Sequence, residues 1–331
     1  MPHIHFEPDR TLVEINAPET ILQASLKAGI QHAHACGGNA RCSTCRGVIQ
    51  EGLEHCAPPN QLERKMAKRL SLSPSVRLAC QTTVDGDVSL RRFVLDAEDI
   101  ELTRQLTAGT SALSFGEEKC VAILFADIRG FTTLSEKLPP YDVIYGLNRY
   151  FHKMSQVVSR HGGYIDNYMG DGLMALFGVE QAEGAALQAV KAGLEMLEEV
   201  ERMKHYVETV DDVSFGIRIG VHYGEAVVGA VIGIAGPTRS KRLTAIGDAV
   251  NYASRIEAAN KDQGTSFLIS EETYHMVKNE IVTGKKCERV TLRGKSGEHV
   301  LYEVIGIKNL DQDPNHLQAG SREAVKMGAF C

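Results

Sequence analysis

Cys36, Cys42 and Cys45 crowd the stretch HACGGNARCSTCRG, and a fourth thiol, Cys80, follows in RLACQ. The gaps of five, two and 34 residues describe one tight loop plus one distant ligand. That arrangement wraps a two-iron, two-sulfide cluster, in which four thiolates terminate two tetrahedral irons. Gly37 and Gly38 let the backbone fold around inorganic sulfide, and Arg41 adds compensating charge. Structural zinc is the competing reading, but it more often takes two separate short Cys pairs, and this chain has one CxxC. Cys56, Cys120, Cys287 and Cys331 lie outside the pattern.

A second set of residues is acidic. ILFADIRGFT puts Asp127 where a buried apolar run ends, and NYMGDGLMALFG puts Asp171 in an Asp-Gly turn between apolar segments. Singly, each reads as a loop cap or a hairpin residue. Together they suggest a carboxylate pair at strand ends, which suits Mg²⁺, a hard ion that takes one or two carboxylates and completes its shell with substrate phosphates. Further on, GDAVNYASRIEAAN sets Asn251 and Arg255 four residues apart on one helical face, with Val250 and Ile256 turned inward. A solvated polar face is the plain reading. Against it, Arg offers a planar fork for phosphate oxygens, and Asn can orient a ribose.

The elements that must position these groups fall into two halves. A length of 331 residues suggests two domains, and 43% hydrophobic with 24% charged residues is ordinary globular composition. A net charge of -6 argues against a nucleic-acid partner. The N-terminus lacks the apolar core of a signal peptide, and the longest uncharged run, AVVGAVIGIAGPT, is too short and broken to span a bilayer. The chain therefore reads as cytoplasmic and not membrane-bound, a compartment where clustered cysteines serve metals or redox chemistry. There is no Walker A pattern to support P-loop hydrolysis.

Residues 1–94 read as an α+β unit of short strands around one helix, with a second, charged helix at NQLERKMAKR. Over 95–118 the sequence turns polar, with leucines at near-heptad spacing; this is a linker or a short signalling helix. From 119 to 307 buried strands alternate with long amphipathic helices, and 308–331 reads as a mobile tail.

The first unit resembles a [2Fe–2S] ferredoxin domain, its C-x5-C-x2-C spacing being similar to the adrenodoxin-like branch; the resemblance implies a β-grasp fold. The second resembles the class III nucleotidyl cyclases, which implies a ferredoxin-like βαββαβ core. That family implies Asp127 and Asp171, helped by the Ile128 carbonyl, as ligands for two Mg²⁺ (or Mn²⁺), and Asn251 and Arg255 as transition-state residues. Arg239, with Arg293 or Lys295 in LRGKSG, matches the polyphosphate contacts. The family also implies an obligate head-to-tail homodimer, each site taking its aspartates from one chain and Asn251 and Arg255 from the other.

One position departs from the pattern. Adenylyl members usually have Lys four residues before the second metal Asp, where this chain has Asn167. Its base-reading partner is Thr244. Guanylyl members have an acidic residue at the Lys position, also absent here. ATP is the better expectation and GTP the alternative, with the iron–sulfur unit regulating the cyclase and a ferredoxin reductase or other donor supplying electrons. A different class of reading is an electron-transfer protein with a degenerate, nucleotide-binding cyclase fold; the intact set Asp127, Asp171, Asn251 and Arg255 argues against it.

Overall fold

The computed structural model describes residues 1–93, 116–207, 215–235 and 238–308. The chain divides into two compact units, Met1–Glu117 and Glu118–Cys331. The leucine-spaced segment up to residue 115 and the tail from 309 lie outside the described residues.

In the first unit, β1 (His3–Glu7), β2 (Thr11–Glu14), β3 (Arg46–Glu51), β4 (Val76–Leu78) and β5 (Val88–Arg92) form one sheet in the order β2-β1-β5-β3-β4. Its middle strand, β5, runs parallel to β1 and antiparallel to β3. Helix α1 (Ile21–Lys27) starts at a capping box, the Thr20 side chain accepting from the Gln23 N–H and Gln23 Oε1 accepting from the Thr20 N–H. It buries Ile21 and Leu22 in a core with Ile4, Phe6, Leu78 and Leu90. This is the β-grasp arrangement.

Helix α2 (Gln61–Leu70) is capped by Asn60 and turns Glu63 and Met66 inward. Glu63 receives a forked pair of hydrogen bonds from Arg77, each 2.9 Å, and a third from the Leu78 N–H at 2.8 Å. Both side chains of the pair are 4% exposed. A buried charge persists only when matched in this way. The pair fastens α2 to the strand that leads into Cys80.

The second unit runs β6 (Glu117–Ile128), α3 (Phe131–Lys137), α4 (Pro140–Arg160), β7 (Tyr164–Met169), β8 (Gly172–Phe177), α5 (Ala185–Val207), β9 (Ile217–Ala235), β10 (Thr238–Ile246), α6 (Asp248–Gln263), β11 (Phe267–Ser270), α7 (Glu271–Val277), β12 (Ile281–Val290) and β13 (His299–Ile307). The sheet order is β12-β13-β11-β9-β6-β8-β7, with β10 paired to β9. Buried strands of this kind read as near-continuous apolar runs because both faces are covered. On one face α4 and α5 bring Tyr150, Met154, Val157, Val190 and Met196 against Leu124, Leu173 and Phe177. A second cluster forms between Tyr252 and Ile256 of α6 and Leu268, Cys287 and Leu301. Pro140 opens α4 at a position where its missing N–H costs nothing. The strand β6 with the helices, hairpin and strands that follow is the expected βαββαβ core, extended by a long β9–β10 ribbon.

Candidate active site and cluster-binding loop

Asp127 is the penultimate residue of β6, one place before Ile128. Strands β6 and β8 pair with Ala126 opposite Leu173, and the turn Gly170-Asp171 joins β7 to β8 with Met169 opposite Gly172. This register brings Asp171 to the end of β6. A Cβ on Gly172 would lie 3.1 Å from Asp127 Oδ1 and 3.2 Å from the Ala126 carbonyl oxygen, so the bare backbone is what lets the two strands close here. Burial, reinforced by the charge and hydrogen-bonding reach of Asp171, pushes the Asp127 carboxyl up to about 6.

Two further groups face this pair. Tyr150 of α4 is fully buried, its hydroxyl has no hydrogen-bond partner, and Asp127, Asp171 and Glu257 lie within its electrostatic reach. Glu257 of α6 has a buried Oε1 without a partner, and burial followed by the Asp127 charge raises it to about 7, against the pull of Arg218. Two partly desolvated aspartates side by side have the chemistry of a hard divalent-cation site whose remaining positions substrate phosphates would fill. The residues therefore fit Mg²⁺ or Mn²⁺.

Helix α6 turns Ala253 and Ile256 inward and leaves Asn251 and Arg255 exposed; Val250 is half-buried. Among the described residues, neither the Asn251 nor the Arg255 side chain makes a hydrogen bond or ion pair with the aspartates of its own chain. Lys295 is held against α6 by an ion pair with Asp248, its Nζ 4.9 Å from the Tyr252 ring centroid. Arg293, two residues earlier, is exposed. Of the two cations in LRGKSG, Arg293 is the one left open to a ligand. Arg239 lies on β10 opposite Ile234, and its side chain is outside the described set.

Asn167 and Thr244 converge from β7 and β10. Thr244 Oγ1 donates to Asp166 Oδ2 at 2.7 Å, and Asn167 Oδ1 accepts from Arg242 Nη1 at 2.9 Å. Burial pushes the Asp166 carboxyl up, partly offset by the Thr244 hydroxyl and by Arg242. Sequence reasoning singled out Asn167 and Thr244 and missed these partners.

In the first unit the four thiols form two pairs. Cys36 and Cys42 interact, as do Cys45 and Cys80. The Cys45 bond lowers the Cys80 thiol to about 6, helped by Gln81 and opposed by burial, while Cys45 itself is driven up. Among the described residues no three His, Cys, Asp or Glu side chains gather round one ion. Two thiol pairs suit two bridged irons, each pair terminating one, better than one tetrahedral zinc.

Gly37 and Gly38 both take left-handed conformations, φ 66° and 87°, as a loop folded round such a group requires. Thr44 braces the loop, its hydroxyl accepting from the Ala35 N–H at 2.8 Å and lying 3.1 Å from Cys42 Sγ. His32 is buried, with its ring nitrogens 3.0 Å from Ser25 Oγ and 3.2 Å from the Cys45 carbonyl oxygen; burial lowers it to about 4 and keeps it neutral.

Both units match known families. Residues 114–306 match the adenylate and guanylate cyclase catalytic domain, and residues 4–85 the 2Fe-2S iron–sulfur cluster binding domain. The chain belongs to the class III adenylate and guanylate cyclase family, with an N-terminal ferredoxin-type domain. It is 35% identical over 188 residues to adenylate cyclase 1 of Rhizobium meliloti, covering 56% of this chain and 28% of that protein. It is 35% identical over 191 residues to an adenylate cyclase of Anabaena cylindrica, covering 56% and 36%. The chain thus spans about a third or less of the length of these relatives.

Among solved structures, the adenylyl cyclase CyaB from P. aeruginosa superposes with a TM-score of 0.52 at 30% identity, covering 60% of this chain and 99% of that one. The guanylyl cyclase Cya2 superposes at 0.53 and 32%, covering 60% and 97%. Among the described residues, no helix is long and apolar enough to cross a membrane.

Proposed function

We propose that the protein is a homodimeric adenylate cyclase that converts ATP to 3′,5′-cyclic AMP and pyrophosphate, under the control of a [2Fe–2S] cluster in residues 1–94. The cyclase domain is 119–307. The observation that carries the reading is the meeting of Asp127 and Asp171 at the end of β6, with Asn251 and Arg255 exposed on the outer face of α6.

Divalent metal held by Asp127, Asp171 and the Ile128 carbonyl would supply the Lewis acidity that activates the ribose 3′-hydroxyl and offsets triphosphate charge. The chain's own residues do the positioning. Asn251 orients the ribose, Arg255 neutralises charge developing at the α-phosphate, and Arg293 and Arg239 hold the leaving polyphosphate. Among the described residues Asn251 and Arg255 make no hydrogen bond or ion pair with the aspartates of their own chain, which supports a second copy completing each site. Cys36, Cys42, Cys45 and Cys80 would hold the cluster, whose one-electron chemistry gives the regulatory input, with a reductase as donor.

Product analysis decides this. Purified protein is given ATP or GTP with Mg²⁺ or Mn²⁺, anaerobically, with the cluster oxidised and then reduced. Cyclic AMP at a rate that changes with redox state is expected. No cyclic nucleotide from either substrate would support the degenerate-fold reading, and equal rates in both redox states would leave the cluster a structural staple.

A further inference from the structure

From the way Asn167 and Thr244 are bonded, we infer that Asp166 and Arg242 set the substrate preference by fixing the hydrogen-bond polarity of the two base-reading side chains. The inference rests on the adenylyl reading above and explains how a site without a charged reader could achieve it.

Asparagine and threonine are ambiguous readers. Each can donate and accept, so neither by itself tells the adenine edge from the guanine edge. Adenine presents a donor at its 6-amino group beside an acceptor at N1. Guanine presents an acceptor at O6 beside a donor at N1, the same two positions with polarity reversed. Discrimination therefore needs readers that cannot switch.

Both switches are closed from behind. The Thr244 hydroxyl has a single proton, and it is committed to Asp166 Oδ2 at 2.7 Å. A carboxylate only accepts, so the outward lone pairs of Thr244 are left as an acceptor. Arg242 is donor-only, so the Asn167 atom that it meets at 2.9 Å must be the carbonyl oxygen. The Asn167 amide nitrogen is then the end free to donate. One acceptor beside one donor matches the 6-amino group and N1 of adenine, with Thr244 facing the amine and Asn167 facing N1.

The arrangement is built rather than incidental. Asp166 is 2% exposed at its side chain, and its second oxygen, Oδ1, is buried without a hydrogen-bond partner, 3.9 Å from Arg242 Nε. It sits at a β-bulge: Ile165 opposes Ala175 and Asn167 opposes Met174, so Asp166 is the extra residue on β7. Bulges re-aim side chains. This one lets Asp166 and Asn167, neighbours in sequence, both serve the ribbon strand β10. A buried carboxylate is costly to keep for packing alone.

The test compares kcat/KM for ATP with that for ITP, whose base carries the 6-oxo, N1–H edge of guanine without its 2-amino group; GTP is run alongside. Asp166→Asn offers Thr244 a donor as well as an acceptor, which frees the hydroxyl to turn its proton outward. Arg242→Met removes the clamp on the Asn167 carbonyl, which frees the amide to flip. Each should lower the ATP-over-ITP ratio about tenfold, the worth of one well-made hydrogen bond against an opposed one. A merely structural role would depress both substrates in proportion and leave the ratio where it was. The lock is overturned if either folded variant leaves the ratio unchanged. Should Asp166→Asn fail to fold, Arg242→Met, at a half-exposed side chain, decides alone. A wild type faster on GTP would sink the adenylyl reading and the lock with it, whereas a wild type faster on ATP whose ratio neither variant moves would sink the lock alone.

Discussion

Gln81 donates from Nε2 to the sulfur of Cys80 at 3.3 Å. The same amide nitrogen donates to the Gly38 carbonyl at 2.9 Å, and its Oε1 accepts from Asn60 Nδ2, the cap of α2, at 2.9 Å. Every polar atom of the amide is engaged, so its orientation is fixed. A donor aimed at a ligand sulfur favours the more negative, reduced cluster. Gln81→Leu should lower the midpoint potential on the order of tens of millivolts, where about 59 mV corresponds to a tenfold change for one electron. A redox titration followed by visible absorbance reads this directly, and an unmoved potential would contradict it.

The thiol pairing sets a second expectation. Cys42→Ser should lose iron and acid-labile sulfide, because Cys42 is one half of the pair with Cys36. Cys56 is a half-buried free thiol outside both pairs, and Cys56→Ser should keep two irons and two sulfides per chain. Iron and sulfide analysis of both proteins checks it; stoichiometric zinc without sulfide in the wild type would refute the cluster.

Arg77→Met would leave the Glu63 carboxylate buried and unpaired. Losing one partner of such a pair costs about 3–5 kcal/mol. Urea unfolding of the full chain, followed by loss of cluster absorbance, should move to lower denaturant by a matching amount. A change below about 1 kcal/mol would mean that Glu63 reaches solvent or another donor.

Asp127→Ala and Arg255→Ala homodimers should each be nearly inactive. Mixed and re-formed dimers should regain activity, since one of their two sites inherits both lesions and the other neither. Verified heterodimers without recovery would mean that each chain builds its own site.

The acid at Glu257 gives a pH dependence. With its carboxyl raised from an ordinary 4.5 to about 7, chiefly by burial, the metal-free folded state holds a proton that the unfolded chain has already released. Its contribution to stability is therefore lost as pH rises from about 4.5 to 7. Glu257→Gln cannot lose that proton. Thermal unfolding in chelator at pH 5 and pH 8 should show a shallower fall for Glu257→Gln than for wild type, by about 2 °C or more. Parallel falls would place Glu257 in solvent.

What the sequence made legible was chemistry written at short range. The cysteine gaps, the Asp-Gly turn at Asp171 and the strand ending at Asp127 each depend on a few neighbours. The helices α4, α5 and α6 announced themselves by length and period. The partners of Asn167 and Thr244 did not, because Asp166 and Thr244 lie 78 residues apart and Arg242 and Asn167 lie 75 apart. They meet only through a bulge and a ribbon strand, neither of which has a sequence signature. Glu257 stood two places from Arg255 in a stretch that reads as a polar helical face, yet it faces Asp127 because α6 packs closely on β9: a Cβ on Gly220 would fall 2.2 Å from the Glu257 nitrogen. Strand β4, three residues long, is too short for alternation to be seen.

The order of strands in the two sheets bears on how fraying would travel through the polypeptide. Among the described residues, β5 is the last strand of the first unit and the middle one of five, and β6, the first of the second unit, is an interior strand of its sheet. The covalent connection between the units is thus rooted at both ends in strands with a neighbour on either side. A strand with a neighbour on either side must give up two ladders of hydrogen bonds to leave its sheet, where an edge strand gives up one. Fraying that began at either root would therefore meet a doubled ladder, in the sheets that hold Cys45 next to β3 and Asp127 on β6.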